Sequence, residues 1–236
     1  MRNQIKAIFI VASLWITNIS FVHADAIKNI PYTFTANAEQ TLDIYRPDIV
    51  SFARPVLVYV HGGAWVAGDK GLDGAQVKTY INQGVILVSL NYRLAPGAKF
   101  PDNIKDIYAA SDWITSNIKD YGGDPNNMVM VGHSAGAHLA ALAGVGTKGH
   151  PPLASQYKAI IPVDTAGFDL THRNRSNLDG ITHRAIIKTF GRRIKTLKAG
   201  SPLHQIEAGE AIILLFYLYQ ESVKMLLWKQ AALMIN

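Results

Sequence analysis

Short apolar runs recur along the chain, with helical stretches between several of them. The runs do not alternate with polar residues, so they predict strands that are buried on both faces. They occupy residues 55–60, 85–90, 128–131, 159–163 and 211–217. The clearest helical stretch is 103–119, where isoleucines recur at helical spacing along one face. Strands that alternate with helices predict an α/β fold, with a mostly parallel central sheet flanked by helices.

Two short segments ahead of that sheet, 32–35 and 41–45, predict an antiparallel hairpin. The length of 236 residues fits one domain with a sizeable core. We therefore expect a single domain over 25–236.

The first 24 residues differ from the rest of the chain. Arg2 and Lys6 flank the start of an apolar run over 7–22, and Val22 and Ala24 are small residues at the spacing that signal peptidase recognises. This pattern predicts a signal peptide over 1–24 and a periplasmic or secreted protein with no membrane association after cleavage. An uncleaved membrane anchor and a first core helix are the alternatives.

Charge and cysteine content narrow the possible chemistry. The chain has no cysteine, which excludes disulfides, a thiolate nucleophile and thiolate metal sites. Residues 171–198 hold eight Lys and Arg against the single acid Asp179. This basic segment is long enough to leave the sheet and form a cap over a site. A basic surface could attract anionic substrates, but a solvated helical face is the favoured interpretation, and no nucleic-acid partner is expected.

The sequence GHSAG at 132–136 follows an apolar run and precedes a small-residue helix predicted over 138–145. That context is the one a nucleophile elbow requires, because a tight strand-to-helix turn forces its central residue into strained backbone angles. Glycines two positions to either side leave room for the turn. Ser134 is therefore the candidate nucleophile.

A second motif, HGGAW at 61–65, follows the run 55–60. Its two glycines allow successive backbone N–H groups to point into a site and to bind the oxyanion of a tetrahedral intermediate. The predicted donors are the backbone amides of Gly62, Gly63, Ala64 and Ala135. For the flanking side chains we favour structural roles: the His61 ring orders the loop, and Trp65 packs beneath it.

With these motifs the chain resembles the α/β-hydrolases of the hormone-sensitive-lipase-like and bacterial feruloyl- and acetyl-esterase-like (BD-FAE-like) carboxylesterases, near the kynurenine formamidases. The matching blocks are HGGAW at 61–65, SLNYRLAP at 89–96, FPDNIKDIYAASDWI at 100–114, YGGDP at 121–125 and GHSAGAHLA at 132–140. The resemblance implies the α/β-hydrolase fold and serine hydrolysis of a carboxylic ester, with no metal and no organic cofactor. It implies the roles given above for Ser134 and the oxyanion donors, and structural roles for Asp106 and Asp124.

A serine hydroxyl needs a base in contact with it, and an acid that orients the base. The resemblance places the acid after the strand that follows the cap, where this chain has Glu221. Asp164, at the end of the run 159–163, is an equal alternative, and Asp169 is a weaker third.

No histidine in the sequence clearly matches the position of the catalytic base that the resemblance implies. The resemblance places it in a loop beyond the helix that begins near Glu221, and the sequence ends at Asn236 without a histidine there. We therefore expect a fold that lacks its last strand and helix, and an impaired hydrolase. Among the eight histidines, His204 in SPLHQI is the least unsuitable substitute.

The leading hypothesis is an exported serine esterase that acts on short-chain or carbohydrate-linked esters. One alternative is a non-catalytic module that binds ligands or other proteins on the same fold. A kynurenine formamidase-like amidase shares HGGxW and the elbow, but its substrate is normally handled inside cells, so export disfavours it.

Overall fold

A computed structural model describes residues 24–35, 37–47, 53–165, 167–171 and 180–206 of the chain. Within these residues, six strands form one sheet in the order β1-β2-β4-β3-β5-β6. The pairs β1–β2 and β2–β4 are antiparallel and the other three pairs are parallel, so the sheet is mostly parallel, as predicted. The strands are β1 Ala24–Pro31, β2 Thr41–Pro47, β3 Arg54–Val60, β4 Ile86–Leu90, β5 Gly123–His133 and β6 Ala159–Val163.

Five α-helices are described, and helices cover both faces of the sheet. They are α1 Gly74–Ile81, α2 Asp102–Asn117, α3 Ala135–Val145, α4 Gly180–Phe190 and α5 Ile194–Ala199. Alternate residues of the strands enter two separate cores. Val58 and Met130 pack with α2 and α3, whereas Leu57 and Val129 pack with α1 on the opposite face. Burial on both faces explains why the central strands read as continuous apolar runs.

The predicted hairpin is partly wrong. Its second strand is β2, but its partner is Ala24–Pro31 and not 32–35. Residues 32–35 instead bend, because Thr33 and Thr35 hydrogen-bond to each other and Thr35 also donates to the Gln40 side chain. Short polar side chains of this kind favour turns over strands. The helix predicted over 138–145 also begins earlier, at Ala135.

Several predictions fall outside the described residues. They are the signal peptide, apart from Ala24; the strand 211–217; Glu221; and positions 172–179 of the basic segment. The remainder of that segment forms α4 and α5, joined through Gly191. No helix in the described part of the chain is both long and apolar enough to span a bilayer.

A buried ion pair anchors the chain beyond residue 65 to the antiparallel side of the sheet. The Lys70 Nζ lies 3.0 Å from Asp43 Oδ1 on β2, and both side chains are less than a tenth exposed. Lys70 Nζ also donates to the Asn29 side chain on β1. The Lys70 backbone is bonded as well, through its N–H to Asn91 Oδ1 and its carbonyl to Ser89 Oγ.

A second pair, Arg93 with Asp106, ties the segment after β4 to α2. Arg93 donates through both Nε and Nη2, and Asp106, which is 1% exposed, also accepts from Gln40. This placement agrees with the structural role that the resemblance implies for Asp106.

Asp73 caps α1, and its removal is expected to lower the unfolding free energy by about 1 kcal/mol. Its carboxylate accepts from the amides of Ala75 and Gln76, and the Gln76 side chain accepts from the Asp73 amide. Urea unfolding of Asp73→Ala measures the loss. Asp120→Ala, which removes an exposed carboxylate outside the α-helices, is the matched control. Equal effects of the two changes would contradict the capping role.

Candidate active site

Ser134 lies alone between the end of β5 and the start of α3, with φ 53° and ψ −116°. Non-glycine residues rarely adopt such angles, and their presence marks a strained turn. The flanking glycines allow this turn. A methyl group at Gly132 would lie 2.5 Å from the Gly136 carbonyl carbon, and one at Gly136 would lie 2.5 Å from the His61 carbonyl oxygen. The second distance shows that α3 packs directly on the backbone of the loop 61–65.

The loop 61–65 lies against the elbow. A methyl group at Gly62 would lie 3.2 Å from Ser134 Cβ and 3.1 Å from His133 Nδ1, so this backbone lies directly beside both side chains. The loop then turns tightly, with φ of 110° at Gly63, 52° at Ala64 and 60° at Trp65. The amide of Ala135 belongs to the first turn of α3, where N–H groups have no intrahelical partner. The backbones of Gly62 and Ala135, two of the predicted donors, therefore lie next to Ser134.

The His61 ring is bonded to the loop itself. Its Nδ1 lies 2.7 Å from the Gly62 carbonyl oxygen, and the ring stacks on Tyr92 with centroids 4.4 Å apart. The Tyr92 hydroxyl in turn donates to the His61 carbonyl. Burial lowers the pKa of His61, which keeps the ring neutral near pH 7. These contacts match the ordering role predicted for this side chain.

Trp65 packs beneath the loop, as expected, and also makes a contact that sequence reasoning missed. Its indole Nε1–H donates to Nδ1 of His138, a fully buried histidine on α3. Burial lowers the pKa of His138 to about 4. The two residues are 73 positions apart, and nothing in either motif indicates the pairing.

Asp164 lies close to the elbow. The Ser134 amide donates to the carbonyl of Val163, the last residue of β6, and Asp164 follows with φ 57°. The Asp164 carboxylate is about half exposed, and its Oδ2 lies 3.8 Å from Nε2 of His133, the residue before the nucleophile. The structure thus places this candidate acid beside a histidine that sequence reasoning assigned no role. Glu221, the other candidate acid, lies outside the described residues.

His204 and Asp169, the substitute base and the third acid, contact each other. His204 Nε2 lies 3.2 Å from Asp169 Oδ1 and 3.1 Å from Thr171 Oγ1. Burial acts to raise the pKa of Asp169, but hydrogen bonds from Thr171 and His204 bring it below its ordinary value. The sequence pointed to both residues but not to their pairing.

Three of the histidines described above are hydrogen-bonded to groups other than the Ser134 hydroxyl. His61 bonds to the loop backbone, His138 to Trp65 and His204 to Asp169, and His133 lies 3.8 Å from Asp164. Within the described residues, no cluster of three or more His, Asp or Glu side chains could hold a metal ion. The arrangement therefore brings Ser134 next to the backbone of the loop 61–65, and it places the candidate acids Asp164 and Asp169 beside His133 and His204.

Comparison with known proteins identifies the family of this chain. The BD-FAE family model matches residues 42–217, about three quarters of the chain. The chain belongs to the BD-FAE family. Esterase LipC of Mycobacterium tuberculosis is 40% identical to this BD-FAE member over 125 residues, which are 52% of this chain and 30% of LipC. The match thus spans about a third of the length of that relative.

Solved structures show the fold. Esterase B from Lactobacillus rhamnosis superposes on this BD-FAE member with a TM-score of 0.73 at 20% identity, covering 90% of this chain and 71% of the esterase. A truncated carbohydrate esterase from gut microbiota gives 0.67 at 21% identity, covering 89% and 85%. The chain therefore has the α/β-hydrolase fold.

Proposed function

We propose that this BD-FAE member is a serine carboxylesterase that cleaves short-chain or carbohydrate-linked esters. The observation that carries the proposal is the contact between the loop 61–65 and the strained turn at Ser134, where a methyl group at Gly62 would lie 3.2 Å from Ser134 Cβ. In the proposed reaction, Ser134 Oγ attacks the ester carbonyl carbon, its proton passes to water, and the carbonyl oxygen becomes an oxyanion. The amides of Gly62, Gly63, Ala64 and Ala135 donate to that oxygen. Collapse of this intermediate expels the alcohol, and water then hydrolyses the acyl-serine.

The energetic contribution of these donors supports acyl transfer as the chemistry. Removal of one oxyanion donor typically costs about 3 kcal/mol in the activation barrier, because the donors are oriented before the charge forms. The start of α3 adds the partial positive charge of a helix N-terminus close to the same oxygen. Both effects favour a transition state with negative charge on oxygen, as in ester hydrolysis.

We further propose that turnover is slow. Three histidines in the described residues are hydrogen-bonded to groups other than Ser134: His61 to the loop backbone, His138 to Trp65 and His204 to Asp169. Binding and an oxyanion hole alone still accelerate acyl transfer by about 10³-fold over water. We therefore expect measurable hydrolysis well below the rate of a complete triad.

The cellular location is part of the proposal. Basic residues, an apolar run and small residues at 22 and 24 support export to the periplasm or the exterior. The name of LipC supports ester hydrolysis in this family. An exported esterase would act on small-molecule or carbohydrate esters that it meets outside the cytoplasm.

Hydrolysis of chromogenic esters tests the proposal. We expect the purified chain to release p-nitrophenol from p-nitrophenyl acetate and butyrate faster than buffer does. We expect slower release from the octanoate and none of p-nitroaniline from p-nitroacetanilide, because an amide has a poorer leaving group. Rates equal to buffer for every ester would overturn the proposal. Saturable binding of the esters without any turnover would instead favour a non-catalytic binding module.

A further inference from the structure

His138 lies one helical turn beyond Ser134 on α3, and its buried ring bridges two distant segments. Its Nε2 is 2.7 Å from the Gly200 carbonyl oxygen. A carbonyl only accepts, so Nε2 carries the ring proton, and Nδ1 keeps the lone pair that accepts from Trp65 Nε1 at 3.2 Å. Both hydrogen bonds form only when the ring is neutral and in this tautomer.

The Trp65 end of this bridge belongs to the proposed oxyanion loop. Ala64 and Trp65 have φ of 52° and 60°, a region that persists for such residues only where the surroundings fix it. The Trp65 side chain is 4% exposed and packs edge-on against His138, with ring centroids 5.1 Å apart. Its carbonyl accepts from the Ala95 amide at 2.9 Å. The buried indole therefore holds the strained part of the loop in place.

The other end of the bridge belongs to the basic segment. Phe190, the last residue of α4, packs edge-on against both His138 and Trp65, with centroids 5.4 and 5.3 Å away. Gly200 follows α5 directly. Gly167 completes the enclosure, because a methyl group there would lie 2.9 Å from His138 Cδ2. The ring thus joins the proposed oxyanion loop, the nucleophile helix and the two helices of the basic segment.

We infer that His138 is a positioning residue. Its neutral ring holds the Trp65 side chain in place, and Trp65 in turn fixes the backbone amides of Gly63 and Ala64. Because Gly200 and Phe190 contact the same ring, the positions of α4 and α5 also affect those amides. The catalytic consequence rests on the proposed function, whereas the bridge itself can be observed without activity. On this view α4 and α5 form part of the scaffold that orients the amide donors.

Phosphonylation of Ser134 by a fluorophosphonate tests the inference. His138→Leu removes both hydrogen bonds, whereas His138→Gln keeps a side-chain acceptor and a donor. We expect His138→Leu to lower the second-order rate constant at least about tenfold, because misplacing reactive groups by about 1 Å costs about 100-fold. We expect His138→Gln to stay within about threefold of the wild-type rate. Trp65→Phe, which removes the indole donor together with part of the buried ring, should slow labelling as well and replaces His138→Leu if that variant does not fold.

Tyr157→Phe is the matched control. It deletes another buried side-chain hydrogen bond, the one between Tyr157 Oη and Ser111 Oγ at 3.0 Å, on the α2 side of the core. We expect it to lower the melting temperature and leave the labelling rate unchanged. The inference is overturned if folded His138→Leu labels at the wild-type rate, if His138→Gln is as slow as the leucine variant, or if Tyr157→Phe slows labelling equally.

A second readout needs no activity. In ¹H–¹⁵N NMR spectra, Trp65→Phe identifies the Trp65 indole signal by its loss. We expect this proton to exchange slowly with solvent in the wild type and in His138→Gln, and faster in His138→Leu. If wild-type Ser134 resists the probe, the proposed function fails, and this readout decides the inference alone. Unchanged exchange in His138→Leu would then overturn it.

Discussion

Replacing Ser134 with alanine is expected to abolish covalent labelling by a fluorophosphonate at the elbow. The probe phosphonylates the serine oxygen, and the variant has no hydroxyl at the elbow. The Ser134 side chain makes no capping bond to α3, so the change removes chemistry and little stability. Intact-protein mass spectrometry after incubation with the probe measures the adduct, and peptide mapping locates it.

Ser155→Ala is the control for this experiment. Ser155 is exposed, lies in the short turn Leu153–Ser155 and bonds only within that turn, through Oγ to the Pro152 carbonyl. We expect the control to label as the wild type does. An adduct of unchanged yield in Ser134→Ala, or an adduct mapped to another residue in the wild type, would show that Ser134 is not the nucleophile.

Acidification is expected to lower the unfolding free energy by roughly 3 kcal/mol between pH 6.5 and about 4, through His138 alone. Burial lowers the pKa of this ring to about 4, against the opposing effect of the Gly200 hydrogen bond. The unfolded chain therefore binds a proton near pH 6.5, whereas the folded chain binds it only near pH 4. This contribution to stability is fully present above the pKa that His138 has in the unfolded chain. It is lost as the pH falls toward the pKa of His138 in the folded chain.

Urea unfolding between about pH 7 and about pH 4.5 measures this loss, with an expected slope of about 1.4 kcal/mol per pH unit for one proton. The lowered pKa of His61 acts in the same direction and steepens the wild-type slope. His138→Gln isolates the contribution of His138 to the pH dependence of the unfolding free energy, because it removes the titrating group and keeps a donor and an acceptor. We expect its slope to be smaller by about one proton. An identical slope in the two proteins would contradict this assignment.

The central sheet was predictable because strands that are buried on both faces form continuous apolar runs in the sequence. A strand such as β3 or β6 must be apolar throughout, so its bounds can be found almost to the residue. The antiparallel edge of the sheet has a less regular apolar pattern. In β1, Asp25, Lys28 and Asn29 interrupt the apolar pattern, and the register shifts between Ile27 and Ile30. At residues 32–35, hydrogen bonds made by the side chains of Thr33 and Thr35 favour a turn over a strand.

The candidate site was predictable where a backbone constraint selects the residue type. Gly132 and Gly136 are required by the close approach of two backbones, so the elbow can be recognised from spacing alone. Pairings between distant side chains carry no such constraint. His138 with Trp65, His204 with Asp169 and His133 with Asp164 each depend on how the strand ends and the following helices pack in three dimensions. Sequence reasoning therefore identified most of these residues but not their partners.

The ion pair between Lys70 and Asp43 has a consequence for how this chain can evolve. Loss of either charge alone would leave the other charge buried without its partner and lower the unfolding free energy by about 3–5 kcal/mol. This is a large share of the stability of an ordinary domain. Replacement of both by well-fitting apolar residues is often neutral. Substitutions at positions 43 and 70 should therefore be inherited jointly among descendants of this chain, with single changes eliminated by selection.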